Sequence, residues 1–387
     1  MSGRIALICN PGNRRAAFFR DACVRVGHPE PLILPWINVL RDDFPLHEHL
    51  QGACALRIES AGEDFEVERR LICLGSGTSQ VENLWPWISA ADAGNLEEDP
   101  GRVRLQRQWY HGWFSALGII QSAADVSGVP IMNEPLDIAV AFDKAATQEL
   151  LHDAGVPIAK NLGICRDFQD LHNRMSEAGL SRVFLKPCHS SSASGVIALE
   201  TDGRNRWQAT TSAVFSGNQH VHNSLRLEKL KDLSQIRERV DAICQERAMA
   251  ERWIPKASIG GRTYDLRILV IAGQAAHVVV RTSRSPITNL HLGNQRGDAD
   301  AVRTQLGEAK WLAAMRTAEA AAVCFSRCHY LAVDLMVDSS FRRFVVAEVN
   351  AFGDLLPKVL WNGMDTYEAE LRAWAQAPPQ HLTARSP

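Results

Sequence analysis

At 387 residues the chain is long enough for two or three domains with a sizeable core, and its 46% hydrophobic and 22% charged residues are those of a globular protein. A formal net charge of -2 excludes a general electrostatic pull toward nucleic acid or an anionic membrane, and no apolar run reaches the roughly 18 residues of a membrane span. The nine cysteines are odd in number and lack CxxC spacing. They argue against a disulfide framework and for a reducing cytoplasm, as does a start that enters a strand without a signal-peptide h-region.

In chain order, Arg4 to Cys9 (RIALIC) is a short apolar strand closed by the turn Asn10-Pro11-Gly12. Arg14 to Val26 carries helical apolar spacing through Ala17, Phe18, Cys23 and Val26, and stops at Gly27 and Pro29. Residues 31–40 (PLILPWINVL) and 71–85 (LICLGSGTSQVENLW) read as further strands, the second entering a helix. This strand–turn–helix alternation predicts a parallel α/β layer. Gly75-Ser76-Gly77-Thr78-Ser79 resembles a phosphate loop but has neither the Lys of a P-loop nor the third Gly of a dinucleotide fingerprint, so a tight turn is the simpler reading. Trp36, Trp85, Trp87, Trp109 and Trp113 are read as packing or a subunit contact.

A second pattern begins near Val129-Pro130. Asp143 opens a helix that Gly155 stops, with Pro157 two residues later. An apolar strand, residues 183–187 (VFLKP), then brings Lys186 to a small-residue loop, 189–195, before the strand 195–199. Such a loop is either a phosphate-binding nest or a solvated hairpin tip. Residues 201–249 are polar and mixed, with a charged, partly helical run from Leu227 to Glu246 that reads as a solvated face.

From Glu251 onward the pattern sharpens. Tyr264–Ala272 and Ala275–Arg281 form a hairpin turned at Gly273-Gln274. Strand alternation puts Asp265 and Arg267 on one face, either as an internal ion pair or as part of a site. A two-residue turn there pairs Arg267 with Val280 and sends Arg281 to the other face unless a bulge intervenes. Leu306 to Phe325 is helical, with a stripe through Leu312, Met315, Ala318, Ala322 and Phe325. Cys324, Cys328 and His329 have helical spacing, but no second cluster completes a four-ligand metal site. Two strands follow, 331–337 and 344–350, and period two places Val346, Glu348 and Asn350 on one face with Asp334 opposite in a suitable register. Two carboxylates and an amide oxygen are hard ligands suited to Mg²⁺. The end, 377–387, reads as a disordered tail.

The succession Asp143-Lys144, Gly155-Val156-Pro157, Lys186-Pro187 with its Ser/Gly loop, Glu251 with Trp253-Ile254, Asp265-x-Arg267, Arg281, Asn289, Asp334 and Glu348-x-Asn350 resembles the ATP-grasp superfamily. It is most similar to the branch of glutathione synthetases and ribosomal-protein glutamate ligases, over about Val129 to Trp374. Residues 57–69 (RIESAGEDFEVER) also resemble a bacterial ATP-grasp group without an assigned substrate. The resemblance implies an α/β fold, with a pre-ATP-grasp domain over 1–128 and a two-subdomain ATP-grasp domain over 129–376. It implies ATP and Mg²⁺ as cofactors, with Lys144 and Lys186 on the phosphates, and Glu251, Arg252, Trp253 and Ile254 around adenine and ribose. Ser190, Ser191, Ser192, Ser194 and Gly195 would form the loop over the phosphates, and Asp265 would lie in the nucleotide site. Asp334, Glu348 and Asn350 would bind Mg²⁺, while Arg267 and Arg281 would face the γ-phosphate and the acceptor carboxylate. His291, Asn294 and Arg296 would belong to the substrate. The activity implied is ATP-dependent joining of a carboxylate to the amine of an amino acid or peptide through an acylphosphate. The rival readings are a phosphotransferase and a nucleotide-binding module without catalysis. A homo-oligomer is compatible with each of them.

Overall fold

The computed structural model describes residues 3–78, 84–204, 206–216 and 220–376, so Ser79 and the tail 377–387 lie outside the described residues. Three sheets organise the chain. The first is parallel, in the order β2 (Leu32–Pro35), β1 (Ile5–Cys9), β3 (Ala55–Ile58), with Ile8 opposite both Leu34 and Ile58. Every residue of β1 is buried, which its unbroken apolar run requires in a sheet covered on both faces. The helix Arg14–Arg25, capped by Asn13, lies where its spacing predicts.

Two expectations fail here. In residues 31–40 only Leu32–Pro35 is strand, and Trp36–Val39 turns into a short helix directly after Pro35. Residues 65–74, whose end (LICL) reads as a strand, form a helix capped by Asp64, which accepts from Val67 N at 3.1 Å. The apolar LICL is the second half of an amphipathic helix that buries Val67, Leu71 and Ile72. The missing strand is β3, and Arg57 is buried within it. Gly75 ends the helix against Gly112 of the long helix Gln106–Ser127. A Cβ on Gly75 would stand 1.9 Å from Gln108 O, and one on Gly112 would stand 1.8 Å from Leu71 O. The glycine pair therefore serves a close helix crossing. Trp36 and Trp113 are wholly buried, as packing residues.

The second sheet is antiparallel, ordered β4 (Asn161–Cys165), β9 (Ala248–Arg252), β5 (Arg182–Pro187), β6 (Ile197–Thr201), β7 (Trp207–Ser216), β8 (His220–Leu230). The polar stretch after residue 201 thus holds two long strands and the helix Leu233–Cys244. The edge strand β8 is mostly half-buried, and its polar composition hides it.

The third sheet runs β13 (Gln295–Arg296), β12 (Gln274–Ser283), β11 (Arg262–Ile271), β14 (Tyr330–Val337), β15 (Phe344–Asn350), with β10 (Ser258–Ile259) also on β11. Behind it the helix expected over Leu306–Phe325 is Glu308–Val323, and Gly307, whose φ is 73°, separates it from a preceding helix, Ala299–Leu306. The buried face carries Trp311, Ala314, Ala318 and Ala321, whereas Leu312, expected in the stripe, is 45% exposed.

Two irregularities set what the third sheet presents. The hairpin turns at Ala272-Gly273, both at positive φ, and its register shifts between Ile268 and Val270. Arg267 therefore faces Val279 and Asp265 faces Arg281, so Arg281 joins the face of Asp265 and Arg267. A second shift lies between Asp334 and Leu335. Glu348 stands opposite Asp334, but Val346 pairs with Leu335 and is buried in the core, so Val346 does not share the face of Glu348 as strict alternation predicts.

A candidate nucleotide and metal site

The second and third sheets supply two walls of one cleft. Asp143 caps the helix Lys144–Asp153, its Oδ1 accepting from Ala145 N at 2.9 Å and Ala146 N at 3.2 Å, and this puts Lys144 at the first helical position. Lys144 Nζ donates to Ser190 O and pairs with Glu348 Oε1 at 3.1 Å, so one side chain spans both walls. Lys186, near the end of β5, pairs with Glu251 of β9, whose other oxygen accepts from Gln148 Nε2. Burial works against the charge on Lys186, but Glu251, Glu348 and Asp334 outweigh it and raise its pKa.

On the opposite wall the charges alternate across the strands. Arg267 donates to both oxygens of Asp334, at 2.8 and 2.9 Å. Arg281 joins Asp265 Oδ1 at 2.7 Å to Asp334 Oδ2 at 2.9 Å. Lys256 Nζ stands 3.5 Å from Asp265 Oδ2. Asp265 and Arg267 do not pair with each other; each finds its partner on a neighbouring strand. Burial pushes the Asp334 carboxyl up, yet Arg267 and Arg281 prevail and hold it well below the usual carboxylate range.

The loop after β5 is anchored at its base. His189 Nε2 lies 3.0 Å from Asp143 Oδ2, and its ring stacks on Tyr110 at 4.0 Å. Burial brings the His189 imidazole down to about 4, against the pull of Asp143. Ser190 is buried and lines the cleft with Ala193, whereas Ser191 and Ser192 are exposed. Ser192 and Ala193 both adopt positive φ. Gly195 is needed where it stands: its φ is 71°, and a Cβ there would meet Ile243 Cδ1 at 2.9 Å.

Of the residues expected around the base, Glu251, Arg252 and Ile254 line the cleft, while Trp253 packs behind it on Phe184. Lys256, Thr288, Met336, Phe184 and Ala347 line it without having been expected. Met336 was within reach of the sequence, two residues past Asp334 on the same face; Lys256, beyond Pro255, carries no periodic signal. About 110 Å³ of open space remains between the walls. A wider groove of about 970 Å³ opens beside it past Arg252 and Ile254.

Asp334, Glu348 and Asn350 carry the oxygen donors that a hard divalent cation takes, with Asp334 held by Arg267 and Arg281 and Glu348 by Lys144. Asp334 and Glu348 are direct cross-strand partners, and Asn350 follows on the Glu348 face. Asn350 Nδ2 is buried without a partner, so nothing fixes which end of the amide faces a ligand. Among the described residues no three His, Cys, Asp or Glu side chains gather around a common point. Among the described residues Cys324, Cys328 and His329 do not gather as a metal site, and His329 Nε2 lies 2.9 Å from Glu370 O.

The model of the YheC/D-like ATP-grasp family matches residues 143–352. No curated protein matches the chain in sequence. Three solved structures share its fold at 12% identity. One is the D-cycloserine synthetase DcsG (TM-score 0.54, covering 97% of this chain and 99% of that one). Another is a D-alanine–D-alanine ligase from Bacillus anthracis complexed with ATP (TM-score 0.52, 97% and 96%). The third is the ATP-grasp ligase PsnB complexed with a phosphomimetic variant of its minimal precursor, Mg and ADP (TM-score 0.51, 97% and 99%).

Proposed function

The chain belongs to the YheC/D-like ATP-grasp family, and from that premise we propose that it is an ATP-dependent ligase joining a carboxylate to the amine of an amino acid or peptide. The observation that carries this is the meeting of Lys144 and Lys186 from one wall with the Arg267–Asp334–Arg281–Asp265 row from the other. A carboxylate is a poor electrophile until one oxygen becomes a phosphate leaving group. Transfer of the γ-phosphoryl group makes an acylphosphate, which the amine then attacks, releasing phosphate. Such transfer depends on positioning and on offsetting charge, which two lysines and two arginines supply. Lys144 and Lys186 hold the phosphates; Arg267 and Arg281 face the transferred group and the acceptor carboxylate. Glu251, Arg252 and Ile254 receive the base and ribose, and the loop from Ser190 to Gly195 covers the phosphates and excludes water. Asp334, Glu348 and Asn350 would hold Mg²⁺, which offsets phosphate charge when bound.

The present cleft is smaller than the ~300–1,000 Å³ usual for ligand pockets. On this reading nucleotide binding exchanges Glu348 and Glu251 for phosphate at Lys144 and Lys186. We take residues 129–376 as the ATP-grasp unit and 1–128 as the pre-ATP-grasp domain that helps form the substrate site. The motif order supports a place near the glutathione synthetase and ribosomal-protein glutamate ligase branch. Nine cysteines, all free, support a reducing cytoplasm, and no described helix is long and apolar enough to cross a membrane.

The test is ADP release from Mg-ATP with pooled amino acids and dipeptides. The expected result is ADP, free phosphate and an amide in equal amounts. A phosphorylated product without free phosphate would make the protein a phosphotransferase, and nucleotide binding without turnover in any pool would make it a binding module.

A further inference from the structure

The charge row on the third sheet ends at Lys256, a lysine outside the motif succession. Its side chain is 7% exposed and lines the cleft. It donates to Thr288 Oγ1 at 2.8 Å, and its contact with Asp265 Oδ2 is long, at 3.5 Å. That same Asp265 oxygen accepts from Thr288, and Oδ1 is taken by Arg281. An ammonium carries three donors, and here only one has a close partner. The row Lys256, Asp265, Arg281, Asp334, Arg267 sets three cations against two carboxylates, and buried charge without a partner is costly. Burial first, then Arg281 and Lys186, push the pKa of Lys256 down against the pull of Asp265. Lys186 reaches the same region from the opposite wall. A cleft that collects cations beyond its own carboxylates is completed by an anion rich in oxygen.

We propose that Lys256 is a phosphate ligand, its Nζ donating to a non-bridging oxygen of the nucleotide's phosphate chain opposite Lys186. The inference rests on the ATP-dependent reading above. The competing role is that of a counter-ion that only offsets Asp265.

Competition binding of ATP, ADP and adenosine to the full chain, wild type against Lys256→Met, separates the two roles. A charge-assisted contact to phosphate predicts about 10- to 100-fold weaker ATP and ADP, with adenosine within about twofold of wild type. Lys256→Gln, which keeps a donor toward Thr288 but no charge, covers the case in which the Met variant does not fold, and the same selective loss is expected. Equal weakening of adenosine and ATP overturns the proposal, as does unchanged ATP affinity or failure of both variants to fold. A wild-type protein that binds no ATP overturns the ligase reading and this inference together, whereas a wild type that binds ATP alongside indifferent variants overturns this inference alone.

Discussion

Arg267 and Arg281 both grip Asp334, yet their removal should cost the protein differently. Arg281 is 6% exposed and its guanidinium bonds both Asp265 and Asp334. Arg281→Met leaves Asp265 with the distant Lys256 and the Thr288 hydroxyl, and breaking a buried pair from one side costs about 3–5 kcal/mol. Arg267 has a side chain 25% exposed and, among the described residues, forms its ion pair with Asp334, which keeps Arg281. Its removal should cost about 1–2 kcal/mol, between the value of a charged hydrogen bond and that of an exposed pair. With about 2 °C of melting temperature per kcal/mol for a chain of this size, the expected drops are about 6 °C or more for Arg281→Met and about 2–4 °C for Arg267→Met. Arg267→Lys, which keeps the charge but loses the planar fork, should abolish ADP release with a still smaller drop, because contacts made mainly in the transition state lower kcat and kcat/KM together. Melting midpoints and single-turnover ADP formation are to be measured on the same preparations. Equal destabilisation by the two Met variants would refute the assignment of Arg281 as the structural hub, and an active Arg267→Lys would refute the catalytic role of Arg267.

Three further outcomes follow from other parts of the molecule. Mg-ATP should raise the melting temperature more than ATP alone, and Glu348→Gln should remove most of the difference; equal shifts with and without Mg²⁺ would count against Asp334, Glu348 and Asn350 as the metal site. Gly112→Ala should destabilise by about 1–3 kcal/mol in urea titrations, because its Cβ would stand 1.8 Å from Leu71 O. Gly118→Ala in the same helix, with nothing within 4 Å, should be neutral or stabilising by up to about 1 kcal/mol; a matching loss at both positions would show that helix crossing is not the reason for Gly112. Burial lowers the His329 imidazole from 6.5 to about 4. The unfolded chain then binds the extra proton between those values, so stability should fall as pH drops from about 6.5 toward 4 and stay level above. His329→Gln should reduce that slope, His189 contributing in the same range, and an unchanged slope would mean that His329 does not titrate with unfolding.

Where a strand or helix keeps its period and its own stop signals, its sequence shows it. The run Ile5–Cys9, the helix capped by Asn13 and the strands around Asp334 and Glu348 lie within a residue or two of their expected bounds. The failures have specific causes. The helix Phe65–Leu74 divides its charges and its apolar residues between its two halves, so the apolar half reads as a strand. Strand β8 has a polar composition and no alternation of buried and exposed residues, so nothing distinguishes it from a charged loop. Gly75 and Gly112 lie 37 positions apart, and only the crossing of their helices shows that each needs the other.

The site was legible as an order of residues and not as a geometry, and the reason is register. Period two assigns faces correctly only while the ladder is regular, and both edges of this site are set by bulges. One, after Ile268, brings Arg281 onto the face that an uninterrupted hairpin would deny it. The other, after Asp334, takes Val346 into the core and leaves Glu348 opposite Asp334. A bulge inserts one residue without any composition of its own, so residue spacing alone cannot show that Arg281 and Arg267 share a carboxylate. Each irregularity lies at a residue of the charge row or next to one. Restoring regular pairing at either would turn every side chain beyond it to the other face and separate Arg281 from Asp334, or Glu348 from Lys144. The bulges therefore belong to the site as much as the charged side chains do.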